Sequence, residues 1–232
     1  MRILGFIETS FVDWDSKLAA VIFVGGCNFK CPFCHNHPLA RDLKKLKELD
    51  FDKIKKKLSQ KKTWLDGVVI SGGEPMMHPE IFGLLIELKK LDFRTKIDTN
   101  GSFPYPLKEA IELGLVDYVA MDIKTTFDER YDRAIGREAW LEVLLRTVRL
   151  LKESGVDYEF RTTMVPGIVT PEDLITILKT IGPVKKYAIQ QYAPKNARLK
   201  AFRLKKPYPK EDIIQVLPSL KPYAQEVVLR GF

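Results

Sequence analysis

The sequence predicts an α/β chain built as an incomplete barrel, a partial (β/α)6 TIM-like barrel with a flanking strand at each end. Three observations predict it. Six short runs rich in β-branched and other apolar residues alternate with amphipathic stretches, the signature of parallel βαβ units with right-handed crossovers. No glycine-rich dinucleotide fingerprint follows the first run, which argues against a doubly wound sheet. The two ends, "RILGFIE" and "EVVLRGF", carry strand-like patterns outside the six units, and the first is expected antiparallel to the barrel's edge.

In chain order, the strand runs are "LAAVIFV" (18–24), "GVVIS" (67–71), "RTKIDT" (94–99), "DYVAMDIK" (117–124), "YEFRTTMV" (158–165) and "KYAIQQY" (186–192). Helical candidates lie between them at 40–61, 79–91, 106–114, 138–154 and 171–181. The first of these is the most basic part of the chain: Leu43, Leu46, Leu49, Ile54 and Leu58 recur near helical spacing with lysines between them. It reads as the solvated faces of two short helices, with a docking surface for an acidic redox partner as the functional alternative.

A chain of 232 residues with 45% hydrophobic content can bury a sizeable core, and the absence of linkers, repeats and low-complexity tracts suggests one domain over 1–232. No apolar run reaches membrane-spanning length, and "MRILGFIETSFVDWD" lacks the features of a secretory leader, so a cytoplasmic protein without a membrane partner is expected. The net charge of +8 raises the question of nucleic acid. The basic 41–62 stretch lacks the interleaved aromatics that stack on single strands, so no nucleic-acid partner is expected.

The polar residues of the strand runs fall at one edge. The cysteine loop "GGCNFKCPFCHNHP" (25–38) follows the first run, "SGGEP" (71–75) ends the second, and Asp98 ends the third. Asp122 and Lys124 end the fourth, Arg161 lies on the fifth, and Gln190, Gln191 and Tyr192 end the sixth. In a parallel barrel the carboxyl ends of the strands are where ligands bind, so these side chains are expected to converge on one mouth.

All three cysteines lie in that loop, spaced Cys27-x3-Cys31-x2-Cys34. Three thiols so close suit a metal site better than a disulfide framework. A structural zinc would want a fourth ligand, with His35 and His37 as the nearby candidates. A [4Fe–4S] cluster normally takes four cysteines, and the chain has no fourth. Such a cluster would hold one iron open to a small molecule.

The loop "CNFKCPFC" resembles the C-x3-C-x-φ-C signature of the radical S-adenosylmethionine (SAM) enzymes, with Phe33 as the aromatic φ. The ordered set "CNFKCPFCHN", "SGGEP", "DTNG" (98–101), "MDIK" (121–124), "RTTMVPG" (161–167) and "QQYAP" (190–194) narrows the resemblance. It is similar to the activating enzymes of glycyl-radical enzymes, most of all to activators of anaerobic ribonucleoside-triphosphate reductase, kin of pyruvate formate-lyase activating enzyme. The likeness spans the whole chain and implies a barrel of the radical SAM type.

The resemblance implies further roles. Cys27, Cys31 and Cys34 would hold a [4Fe–4S] cluster whose fourth iron binds SAM. Phe33 would lie near the adenine, with ordinary packing beneath the loop as its plainer role. Gly72 and Gly73 would let the backbone approach the methionyl amino group, with Glu74 nearby as a countercharge and Asp98 completing the pocket. Asp122 would accept from the ribose hydroxyls, and Lys124 and Arg161 would neutralise the carboxylate. His35 and Asn36 are expected beside the cluster loop rather than as ligands, and His78 has no functional reading. A monovalent cation beside Asp98, Thr99, the backbone of residue 120 and Asp122 is a further implied feature. The implied reaction is reductive cleavage of SAM and removal of a glycine Cα hydrogen from a partner enzyme, with flavodoxin or ferredoxin as electron donor.

Two departures stand out. "DWDSKLAA" has Asp15 and Ser16 where close relatives often have Pro-Gly, and the chain lacks further cysteines for a ferredoxin-like insert. Other readings stay open: activation of pyruvate formate-lyase or another glycyl-radical enzyme, radical SAM chemistry on a small molecule such as the ring contraction of deazapurine biosynthesis, and a non-catalytic zinc-binding module.

Overall fold

Each strand lies beside its neighbour in sequence, as a succession of right-handed βαβ units requires. The structure, a computed structural model, describes residues 1–41 and 43–232. One sheet runs in the order β1 (Ile3–Ser10), β2 (Ala19–Val24), β3 (Gly67–Gly72), β4 (Arg94–Thr99), β5 (Tyr118–Asp122), β6 (Asp157–Met164), β7 (Val184–Gln191) and β8 (Ala224–Arg230). β1 is antiparallel to β2, and every later pair is parallel. The six expected runs are therefore β2 to β7, and the two terminal patterns are β1 and β8. These last two stand at opposite ends of the order, so the barrel is open between them.

Alternation along the strands divides the side chains. Ala20, Ile22, Val24, Val68, Ile70, Ile97, Val119 and Met121 join the large core beneath the helices. The opposite phase points into the barrel, where Ala19, Val21 and Val69 pack on Trp14 with Phe23 and Tyr118 beside them. The same inward phase carries Ser71, Asp98, Asp122, Arg161 and Gln190. Apolar residues thus fill the inner base, while polar ones occupy the mouth.

The helices are α1 (His37–Arg41), α2 (Phe51–Gln60), α3 (Ile81–Lys90), α4 (Pro104–Glu112), α5 (Arg130–Ile135), α6 (Leu141–Glu153), α7 (Asp173–Ile181), α8 (Lys200–Arg203) and α9 (Lys210–Leu220). Burial at Ile81, Leu84, Leu85 and Leu88 of α3, and at Leu174, Ile177, Leu178 and Ile181 of α7, follows the i, i+3, i+4, i+7 rule that pins a helix to a sheet. No helix among the described residues is long and apolar enough to cross a membrane.

The two short helices expected over 40–61 are α1 and α2, with a 3₁₀ turn at Leu43–Lys45 between them; Asp42 lies outside the described residues. Arg2 accounts for the break by donating to the carbonyls of Leu43 (2.6 Å) and Leu46 (2.8 Å). The Leu49 amide then bonds to Ile3 at 2.8 Å, and Asp50 caps a new helix by accepting from the Asp52 amide at 2.9 Å. The short α5 and α8 and the helix α9 were not anticipated. α9 is preceded by Pro207 and Pro209 and contains Pro218, which masks its periodicity.

The base of the barrel is fastened by charge. Arg230 of β8 donates to Glu159 of β6 and to Asp15 in the β1–β2 loop, and Lys186 of β7 pairs with Asp15 at 2.7 Å. Asp15 thus ties the first loop to the last strands across the open seam.

Candidate active site

The carboxyl ends of β2 to β7 surround a cavity of about 420 Å³, within the usual range for a small-molecule site. Of the residues singled out in the sequence, Cys27, Cys31, Phe33, Cys34, Gly72, Gly73, Asp98, Asp122, Lys124 and Arg161 all line it. His35, Asn36 and Gln190 join them. Glu74 does not line the cavity, and neither do Gln191 and Tyr192.

The cysteine loop is held by its backbone. Lys30 donates to the Ile135 carbonyl at the end of α5 (2.7 Å), Arg41 to that of Phe29 (2.6 Å), Arg137 to that of Asn28 (3.0 Å), and Leu199 to that of Pro32 (2.9 Å). His78 accounts for itself here, its ring bonding the Gly25 carbonyl at 2.8 Å. The thiols are left free to face the cavity. Burial pushes Cys27 up to about 11 and Cys31 up to about 12, and raises Cys34 as well.

Glycines bring the second loop against the first. A Cβ on Gly73 would stand 1.7 Å from the Gly26 carbonyl oxygen, and Gly72 has φ +109° with room for none beside Val24. The Glu74 amide bonds the same Gly26 carbonyl at 2.8 Å. These glycines are required by backbone meeting backbone, an explanation additional to any approach by a ligand. Gly73→Ala is expected to destabilise the fold by about 3 kcal/mol. Gly83→Ala on the open face of α3, where nothing lies within 4 Å of the new Cβ, should stabilise it by about 0.5 kcal/mol. Urea midpoints of the two variants check both signs.

Glu74 is fully buried and faces the scaffold. Its carboxylate accepts from Thr99 Oγ1 (2.8 Å) and from the amides of Asn100 (2.7 Å) and Met76 (3.1 Å), which fixes the β4 loop to the β3 loop. The expected countercharge role therefore gives way to a structural one. Burial pushes its carboxyl from 4.5 up to about 7, against three donors that favour the charged form. A raised acid binds its proton more tightly in the folded chain, so its stabilisation is complete below pH 4.5 and erodes as pH rises towards 7. Relative to Glu74→Gln, the wild type should lose on the order of 3 kcal/mol across that window, read from urea denaturation at stepped pH.

At the centre, Arg161 joins two carboxylates. Its Nε donates to Asp122 Oδ1 at 2.7 Å and its Nη1 stands 3.2 Å from Asp98 Oδ1. Lys124 Nζ holds Asp122 Oδ2 at 2.9 Å. The neighbouring cations hold both aspartates below the usual carboxylate range despite burial. The strand phase of Arg161 is thus inward.

Three participants went unmarked in the sequence. Lys96, 2% exposed, places its ammonium 3.2 Å from Asp98 Oδ1 and donates to the Asp13 carbonyl. Asp13 itself lines the cavity. Asn100 bonds Asn28 Oδ1 at 2.9 Å and reaches the Cys27 sulfur at 3.8 Å. The two-residue alternation from Asp98 could have flagged Lys96.

The residues fit an iron–sulfur cluster with an aminocarboxylate ligand. Three thiols, Cys31 buried and Cys27 and Cys34 half-buried, edge a polar cavity that offers carboxylates, a guanidinium and an ammonium together. Asp98 Oδ1 is buried without a well-aligned hydrogen bond, 3.2 Å from both Lys96 Nζ and Arg161 Nη1. The zinc-module alternative fares worse. His35 stacks on Tyr192 at 5.8 Å, and among the described residues no three His, Cys, Asp or Glu side chains gather closely enough for one metal ion.

An open parallel barrel with its polar groups collected at the strand ends is the architecture of an α/β-barrel enzyme. Residues 21–181 match the model of the radical SAM superfamily. The chain belongs to that superfamily, and with it come a [4Fe–4S] cluster and SAM. It is 37% identical to a Methanocaldococcus jannaschii protein whose name assigns it provisionally to the glycyl-radical enzyme activating enzymes, over 97% of this chain and 94% of that one. The pyruvate formate-lyase-activating enzyme of Clostridium pasteurianum is 31% identical over 75% of each. Streptococcus suis SuiB, in a crystal structure with its precursor peptide, shares the fold with a TM-score of 0.70 at 16% identity, over 91% of this chain and 48% of that one. SuiB with SAM bound gives 0.68.

Proposed function

We propose that this chain is an activase that installs a glycyl radical on a partner enzyme, with anaerobic ribonucleoside-triphosphate reductase as the partner. The observation that carries the reading is a thiol loop and a mixed-charge cavity at one mouth, in a chain that aligns almost end to end with a protein named for this activity. We take residues 1–232 as one domain, since β7 and β8 beyond the family match continue the same sheet.

Cys27, Cys31 and Cys34 would hold the cluster. When bound, cluster and SAM together would supply one-electron reductive cleavage of the SAM carbon–sulfur bond and, with it, the power to remove a hydrogen atom from a glycine Cα. The chain's residues bind and orient. Arg161 and Lys124 would take the methionyl carboxylate, Asp98 the ammonium and Asp122 the ribose, while Phe33 walls the adenine side and Gly72 and Gly73 present backbone to the amino group. A monovalent cation at Asp98 and Asp122 would share those carboxylates with Arg161 and Lys96. The open seam and mouth leave a path for a peptide loop, and the preorganised charges keep the ligand from being reorganised by water. The electron would come from flavodoxin or ferredoxin.

Activation of pyruvate formate-lyase is the second reading, favoured by the Clostridium pasteurianum relative. Electron paramagnetic resonance separates them: anaerobically reconstituted protein with SAM and reductant is mixed with either partner. A carbon-centred doublet on the reductase supports the first reading, a doublet only on the formate-lyase the second. A doublet on neither removes both.

A further inference from the structure

Between residues 195 and 210 the chain carries seven Lys or Arg and no Asp or Glu. Lys195, Lys200, Arg203 and Lys206 are exposed. Among the described residues, none of the seven is in an ion pair. The other basic stretch, 41–62, has ten cations against four acids, and four of those cations are paired from outside it. Lys55 pairs with Glu87, Lys57 and Lys61 with Glu8, and Lys62 with Asp92. The segment around α8 is therefore the more strongly uncompensated of the two, since it holds no acid of its own and draws none from outside among the described residues.

Its position gives that charge a use. The segment packs directly on the cysteine loop: the Phe202 ring lies 6.3 Å from that of Phe33, and the Leu199 amide bonds the Pro32 carbonyl at 2.9 Å. Leu204 is 87% exposed among the cations, an apolar contact point inside a charged rim, as docking surfaces have. None of residues 195–210 lines the cavity. A protein seated here would reach the outer side of the thiol loop without entering the space that a substrate must use.

We propose that residues 195–210 are the docking surface for an acidic protein that carries a one-electron group, and that the electron enters the site by way of the Pro32–Phe33 side of the cysteine loop. The proposal rests on the activase reading for its need of an electron. One electron leaves the reduced carrier and enters the oxidised cluster, with no atom transferred. Opposite charge would speed encounter without requiring a tight complex, and the cavity remains free for the target.

The test uses the triple variant Lys200→Glu, Arg203→Glu, Lys206→Glu, with bacterial flavodoxin as the probe, oxidised for binding and reduced for electron transfer. In wild type, oxidised flavodoxin should bind the cluster-free chain with an affinity that falls with salt. The triple variant should bind at least about tenfold more weakly with little salt dependence. Reduction of the reconstituted cluster by flavodoxin should slow in parallel, while SAM cleavage driven by dithionite stays at the wild-type level. Lys55→Glu, Lys57→Glu, Lys61→Glu on α2 should leave flavodoxin binding unchanged. Equal flavodoxin binding and electron transfer in wild type and the triple variant would overturn the proposal. So would retained flavodoxin binding with lost affinity for the glycyl-radical enzyme, which would assign the surface to the target. A wild type that cleaves no SAM with dithionite would instead remove the activase reading, a result read independently of binding to the cluster-free chain.

Discussion

Cys31→Ala should leave the chain folded while iron content and SAM cleavage both fall to background. Cys31 is 8% exposed and lines the cavity, but the loop's shape depends on backbone bonds from Lys30, Arg41, Arg137 and Leu199. Deleting one buried sulfur should therefore cost about 1 kcal/mol, small against the stability of a domain. With two thiols remaining, a cluster that already relies on three has too few ligands to be held. Iron per chain, thermal melting and chromatography of 5′-deoxyadenosine report the three quantities separately. Cleavage at the wild-type rate would take Cys31 out of the site.

Asp122→Asn should weaken SAM binding by about 100-fold, the weight of a hydrogen bond to a charged group, and destabilise the free protein by roughly 2 kcal/mol. The side chain keeps its size and loses the charge that faces Arg161 at 2.7 Å and Lys124 at 2.9 Å. Two cations then share a half-enclosed space with only Asp98 near. The stability loss is set below that of a fully buried pair because the Asp122 side chain retains 27% exposure to the cavity. The sign with pH follows from the lowered acids: the stabilisation from Asp98 and Asp122 is complete above about pH 4 and is lost as pH falls below it. Wild type and Asp122→Asn should therefore converge in stability at strongly acid pH. Isothermal titration with SAM and urea denaturation between pH 2 and 7 check both halves, and an unchanged affinity would leave Asp122 a purely structural ion-pair partner.

The sheet was legible because its strands are β-branched runs bounded by turns, and each later strand lies beside the one before it. The two short helices over 40–61 were legible from their apolar spacing, but the place of the break between them was not, because periodicity cannot register a distant arginine. Arg2 captures the carbonyls of Leu43 and Leu46 and breaks the run from outside. Site positions were legible as strand ends, and the inward phase of Asp98, Asp122 and Arg161 follows from their common edge. Glu74 was misassigned because its motif fixes where the residue sits in the chain and not which way the carboxylate turns; three donors turn it into the scaffold. Lys96 escaped notice as a lysine in a lysine-rich chain, although its neighbours make it one of the most buried charges in the barrel.

The bond from Arg230 to Asp15 spans 215 positions of sequence, whereas the sheet itself is assembled from neighbours. Strands can therefore be laid down one after another as the chain emerges during synthesis, each new one finding its partner already in place. Only the clasp at the base must wait for β8. The growing polypeptide thus carries a nearly finished sheet with an unfastened edge until that strand is made, and the arrival of Arg230 is the step that secures the first loop.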